Sequence, residues 1–149
     1  MTWRERLMQV IHSWEGTPWI DGQQLRGRGV DCVRFVVGVL DELYRYDKPP
    51  VPVLPQHLGL HNRSDAIKAT HAIASRYPHV VVTEPEPGDI VVVNIGEQGG
   101  PGHVAIFGDP PRLVWHAVSK VGVCFSSASS ITRIYKIWRP LEKELWQQQ

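Results

Sequence analysis

The pattern of apolar residues changes character within this 149-residue chain. In the first half, apolar side chains recur at helical spacing, which is typical of amphipathic helices. From residue 89 onward, β-branched residues dominate and turn-forming residues recur at short intervals, which indicates strands. Helices followed by a mostly antiparallel sheet predict an α+β fold.

The expected helices cover residues 2–14, residues 32 to about 46, and residues 62 or 64 to 77. Four prolines in 48–55 predict an extended connector, and 141–146 predict a last helical turn. The expected strands are residues 89–95, 103–108, 113–119, 121–126 and 131–138.

The composition indicates one domain over residues 1–149. A formal net charge of +1, with dispersed basic residues, argues against general attraction to nucleic acid or to an anionic membrane surface. Residues 1–14 lack the apolar core of a signal peptide, and no apolar run is long enough to span a membrane. We therefore expect synthesis in the cytoplasm without a signal peptide and without membrane insertion.

Cys32 is placed where a glycine-containing loop turns into a predicted helix. Asp31 can cap that helix, which puts the thiol in the first helical turn. The partial positive charge of a helix N-terminus favours the thiolate, so the position predicts a lowered thiol pKa and a nucleophilic cysteine. The alternative is a small buried cysteine with no chemical role.

Two histidines fall within consecutive predicted strands. His103 opens one strand and His116 lies in the middle of the next. If residues 109–112 form the turn of a hairpin, both side chains can project from the same face of the sheet. Cys32, His103 and His116 then form a minimal set of nucleophile, base and orienting group.

A zinc site is a competing interpretation of the same residues. Thiolate and imidazole are the ligands that zinc prefers in proteins. Cys124, however, lies in the apolar run 121–125 and is more simply explained as a strand residue. The ligands of the zinc alternative would be Cys32, Cys124, His103 and His116. We assign no metal and no cofactor.

Several short motifs, taken in order, resemble those of the NlpC/p60 cysteine peptidases. They are residues 16–19 (GTPW), 31–32 (DC), 87–92 (PGDIVV), 102–106 (GHVAI) and 115–117 (WHA). The resemblance implies a papain-like α+β domain, in which N-terminal helices pack on a mostly antiparallel sheet of about five strands. It also implies that Cys32 is the nucleophile, His103 the general base and acid, and His116 the group that holds the imidazole.

Within that family, the long loop 22–30 and the Val33-Arg34 pair make the chain most similar to the phage tail-tip subgroup. The chain departs from the family at Trp19, where a tyrosine is common, and at Val33-Arg34, where Ser-Gly is common. We expect Trp19, Asp31 and Arg34 to bind substrate. Arg34 is expected to pair with Asp31 or with a substrate carboxylate, because a cation is otherwise disfavoured at a helix N-terminus. The alternative is a plain surface arginine.

The resemblance implies hydrolysis of an amide bond in peptidoglycan stem peptides, at a D-glutamyl residue, by a phage-tail or prophage protein. Its partners would be the stem peptide and phage tail-tip proteins, and its destination the virion tail, the periplasm or the cell wall. Two alternatives stay open. One is a structural tail assembly protein with a degenerate site, and the other is a secreted toxin-like cell-wall amidase.

Overall fold

A computed structural model describes residues 1–44, 78–95 and 103–141. The helices are α1 (Trp3–Trp14) and α2 (Cys32–Leu43), and a 3-10 turn covers Ala128–Ser130. The strands are β1 (Gln24–Leu25), β2 (Gly29–Val30), β3 (His79–Val82), β4 (Ile90–Ile95), β5 (His103–Phe107), β6 (Leu113–Val118), β7 (Gly122–Ser127) and β8 (Ile131–Pro140). The predicted helix ending at residue 77, the proline-rich segment 48–55 and residues 142–146 of the predicted last turn lie outside the described residues.

Helix α1 begins immediately after its capping residue, Thr2. The Thr2 side chain accepts a hydrogen bond from the Glu5 N–H at 3.1 Å, and the Glu5 carboxylate accepts one from the Thr2 N–H at 2.8 Å. This reciprocal capping box satisfies two donors that a helix start otherwise leaves unpaired. The apolar side chains spaced along one face of α1 are buried against the core.

Helix α2 is buried along almost its whole length. Asp31 caps it, and its apolar residues from Val33 to Leu43 have almost no exposed surface. A helix that is apolar on most sides is stable only when other elements cover it. Here α1 packs along α2, and β5 and β6 pack beneath it.

The main sheet has six strands in the order β3-β8-β4-β5-β6-β7, and every described pairing is antiparallel. The five predicted strands are all present, and the α+β fold class is confirmed. The main sheet has one strand more than the expected number of about five. The missing strand is β3, in which Val80 and Val81 are both exposed. The three consecutive valines of β3 suit a strand, but the sequence analysis began the sheet at residue 89 and missed them.

The two faces of the sheet bury separate apolar clusters. Ile90, Val92, Val104 and Ile106 face the helices and belong to the larger cluster. The intervening residues of the same strands, including Val91 and Ala105, belong to a smaller cluster. Because side chains alternate between faces along a strand, a sheet covered on both sides shows the continuous apolar runs seen here.

The connection from α1 to α2 is fastened at both ends. Gly16 donates its N–H to the Val123 carbonyl at 2.9 Å, and Val123 donates to the Thr17 carbonyl at 2.9 Å, which extends the edge of β7. Further along, Arg26 pairs with Glu42 of α2. These contacts hold the segment that leads to Cys32 against both the sheet and the helix.

A buried ion pair fixes the start of β4. The carboxylate of Asp89, which has no exposed surface, accepts hydrogen bonds from Arg139 Nε at 3.0 Å and Nη2 at 2.9 Å. The preceding Gly88 has a φ of +88°, and a Cβ there would stand 2.2 Å from the Trp3 ring. The PGD motif is therefore explained by packing and backbone conformation at this corner.

No helix within the described ranges is long and apolar enough to cross a membrane.

Candidate active site

Cys32 is the first residue of α2, as the sequence predicts. Asp31 holds this start in place: its carboxylate accepts hydrogen bonds from the N–H groups of Arg34 and Gly22, both at 2.9 Å. One bond caps the helix, and the other ties the preceding loop to the same carboxylate. The thiol is thereby fixed at the N-terminal end of a buried helix.

The two histidines meet on the hairpin formed by β5 and β6. His103 Nε2 lies 2.8 Å from His116 Nδ1, and both residues are buried. The described residues of β5 and β6 pair only at Ile106 with Trp115 and at Phe107 with Val114. The strands are not paired beyond these positions, and the two rings are joined there by a side-chain hydrogen bond. The prediction that both side chains share one face is confirmed.

The sulfur of Cys32 reaches this same unpaired part of the hairpin. The N–H of Val104, the residue after His103, lies close enough to the Cys32 side chain to lower the pKa of the thiol. Helix α2 and strand β5 therefore bring the thiol beside the backbone that carries His103. Among the described hydrogen bonds, none joins the Cys32 sulfur directly to either imidazole.

The resting thiol is protonated. Burial raises the pKa of Cys32 to about 12, and the neighbouring Asp31 carboxylate adds to the increase. Hydrogen bonds from the N–H groups of Val104, Val33 and Cys32 itself lower that pKa but do not offset the burial. The prediction of a lowered thiol pKa, made from the helix N-terminus alone, is wrong for this structure.

Both imidazoles are neutral at physiological pH. Burial lowers the pKa of His103 to about 3, and the neighbouring His116 contributes to the decrease. Burial likewise lowers the pKa of His116 to about 4. A neutral imidazole can accept a proton, so His103 is in the protonation state that a general base requires.

Ser126 is a member of the site that the sequence analysis missed. Its Oγ lies 2.8 Å from His116 Nε2, the ring nitrogen that does not face His103. Ser126 is on β7, and its placement follows from the register that pairs His116 with Cys124. Because the turn between β6 and β7 sets this register, the strand pattern and turn length were the signals that could have indicated it.

Arg34 has a partner within the chain. Its Nη1 lies 2.7 Å from Asp31 Oδ2, and its side chain is mostly buried. The expected pairing with Asp31 is present, which explains how a cation is tolerated in the first turn of α2. A role of Asp31 and Arg34 in substrate binding stays a prediction.

Trp19 lies beside the strand that leads into the nucleophile helix. Its backbone forms an isolated parallel bridge with Val30, and its half-buried ring packs against the main apolar cluster. These contacts give Trp19 a structural function that a substrate contact would supplement. Its predicted role in substrate binding stays a prediction.

All four ligands of the zinc alternative lie within the described residues. No three side chains of the types His, Cys, Asp or Glu come together there to hold a metal ion. Cys124 is half-buried on β7, with Phe125 beside it on the same strand.

The helix-borne cysteine, the paired histidines and the six-stranded sheet together define the site and the α+β domain that carries it. No protein-family model matches the sequence, and no curated protein does. Among solved structures, the chain is similar to the NlpC/p60 domain of the peptidoglycan hydrolase SagA. That likeness has a TM-score of 0.57 and 19% identity, and covers 89% of this chain and 95% of that one.

A second similar structure is a Staphylococcus aureus protein of the NLP/P60 family, described as similar to a lipoprotein. The TM-score is 0.55 and the identity 19%, over 93% of this chain. The match spans 41% of that longer chain. At this identity the likeness concerns architecture, and the chain has the fold of NlpC/p60 domains.

Proposed function

We propose that this chain is a cysteine peptidase that hydrolyses an amide bond in peptidoglycan stem peptides. The observation that carries the proposal is the placement of Cys32 at the start of a buried helix, with its sulfur beside the strand of the His103–His116 pair. A nucleophile, a base and an orienting group are the minimal requirement for thiol catalysis. The fold of NlpC/p60 domains, shared with a peptidoglycan hydrolase, supports the substrate class.

In the proposed reaction, His103 takes the thiol proton as the Cys32 sulfur attacks the amide carbonyl carbon. The tetrahedral intermediate expels the amine, which takes the proton from His103, and a thioester remains. Water then attacks the thioester and gives one proton to His103. Collapse releases the carboxylic acid, and the sulfur regains its proton. Because Cys32 has no exposed surface, substrate binding must displace the groups that cover it.

The finer assignments belong to the same proposal. We infer cleavage at a D-glutamyl residue and association with a phage tail or prophage, both from the motif resemblance. Delivery to the cell wall would then depend on tail-tip proteins, and the finished protein would act in the virion tail or in the periplasm.

Digestion of purified peptidoglycan tests the activity. The wild type, Cys32→Ser and Cys124→Ser are compared, and the released fragments are identified by mass. Cys124→Ser is the matched control, because it removes the second cysteine, which lies on β7, and leaves Cys32 on α2 in place. We expect D-glutamyl-containing fragments from the wild type and the control only. Equal release by Cys32→Ser would contradict the proposal.

The resting site also favours a second candidate function. Cys32 is fully buried, its pKa is raised, and no described hydrogen bond links its sulfur to an imidazole. These properties suit a structural tail assembly protein that keeps the fold without catalysis. Failure of both wild type and Cys124→Ser to release any fragment, with the protein folded, would favour this candidate.

A further inference from the structure

Three polar side chains form a continuous hydrogen-bonded row across β5, β6 and β7. His103 Nε2 is 2.8 Å from His116 Nδ1, and His116 Nε2 is 2.8 Å from Ser126 Oγ. Of the four ring nitrogens of the two histidines, Nδ1 of His103 is the one that takes no part in these two bonds. All proton positions in the row are coupled, because each neutral imidazole carries one N–H donor and one acceptor nitrogen.

Only two proton orders satisfy both bonds with neutral rings. In the first, His103 donates from Nε2 to His116 Nδ1, and His116 donates from Nε2 to Ser126 Oγ. In the second, Ser126 donates to His116, which donates from Nδ1 to His103, and the remaining proton lies on His103 Nδ1. Only the first order leaves His103 Nδ1 free to accept a proton from a thiol.

We propose that Ser126 is a positioning residue whose hydroxyl oxygen accepts a hydrogen bond from the Nε2–H of His116 and thereby keeps Nδ1 of His103 available as the base. This inference rests on the proposed peptidase function. The described hydrogen bond of the Ser126 side chain is to His116, and Ser126 acts through the two rings. A hydroxyl suits the role because its oxygen can accept while its own proton turns toward another acceptor.

The position of Ser126 in the sheet supports this role. In the register of β6 and β7, Val114 faces Ser126 and His116 faces Cys124, so the hydroxyl approaches His116 diagonally from the next pair. A serine one residue earlier or later on β7 would project from the opposite face. The exposed Ser129, in the 3-10 turn that follows, shares a hydrogen bond with Ser127 instead and is a matched control.

Nitrogen-15 NMR of histidine-labelled protein at neutral pH reads the tautomers directly. We expect wild-type His103 and His116 both to carry the proton on Nε2. Ser126→Ala should leave His116 as a mixture of tautomers, whereas Ser126→Thr, which keeps the hydroxyl, and Ser129→Ala should retain the wild-type signature. In parallel, kcat for peptidoglycan fragment release should fall about five- to tenfold in Ser126→Ala, with KM unchanged, because one neutral hydrogen bond is lost.

The tautomer measurement and the activity measurement fail separately. Wild-type protein with the proton on His103 Nδ1 would overturn the inference, and this result needs no variant to fold. Unchanged tautomers in folded Ser126→Ala would overturn it as well. If the wild type releases no fragments while the tautomers follow the expected order, the proposed function fails and the proton order set by Ser126 stands.

Discussion

Acidification should destabilise this fold through the buried histidine pair. The pKa of His103 is about 3 and that of His116 about 4, whereas an unfolded histidine has a pKa of about 6.5. As the pH falls below 6.5, the unfolded chain takes up both protons and the folded chain does not. The stabilising contribution of the neutral pair is therefore complete above pH 6.5 and is lost as the pH falls toward the folded values.

Each imidazole weakens the fold by about 1.4 kcal/mol for every pH unit over which only the unfolded state is protonated. Between pH 7 and pH 5, the two groups together remove about 4 kcal/mol from the free energy of unfolding. Domains of this kind are stable by about 5 to 15 kcal/mol in total, so the loss is a large share.

Urea unfolding at pH 7, 6 and 5 measures the effect. The free energy of unfolding of the wild type should fall steeply as the pH is lowered. His103→Gln and His116→Gln should each remove about half of the histidine-dependent slope. His12→Gln is the comparison variant, because His12 is exposed on α1 beside Glu15 and is not part of the buried pair. A wild-type stability that stays within about 1 kcal/mol between pH 7 and pH 5 would refute the reasoning.

Three further outcomes follow from the structure. Because the pKa of Cys32 is about 12, its alkylation by iodoacetamide, followed by peptide mass analysis, should be slow at pH 7 and accelerate about tenfold per pH unit up to pH 10; preferential labelling near pH 6 would contradict this. Asp89→Asn should lower the free energy of unfolding by about 2 kcal/mol in urea titration, since it weakens a buried ion pair, and a loss below about 0.5 kcal/mol would be evidence against that pair. Gly88→Ala should cost about 3 kcal/mol in the same assay, from left-handed backbone strain and overlap with a tryptophan ring. Gly16→Ala has the strain without the overlap, so an equal loss in both variants would contradict the packing argument.

The fold class could be predicted because local patterns and tertiary packing agree in most elements. The start of α1 follows from the capping box at Thr2, and that of α2 from the Asp31 cap. Five strands of the main sheet follow from apolar runs between turn residues. Strand β3 was missed although its three valines suit a strand, because the run is short and its pairing with β8 is a tertiary contact that the sequence does not show.

The positions of the site residues were more predictable than their chemistry. Cys32, His103 and His116 were indicated by their places in the predicted elements, and the structure brings the two imidazoles together as expected. The predicted decrease in the thiol pKa was wrong because the helix N-terminus was considered without burial, and burial has the larger effect on this pKa. Ser126 was missed because its role depends on strand register, which a single serine does not reveal.

The hairpin of β5 and β6 carries both imidazoles, which are close in sequence, whereas the sulfur arrives from a helix near the other end of the chain. Contacts between residues close along the chain cost little loop-closure entropy, so the imidazole pair is expected to assemble early during folding. The approach of Cys32 to Val104 is a long-range contact and should be completed late. Partly folded chains would accordingly hold a formed base without its nucleophile.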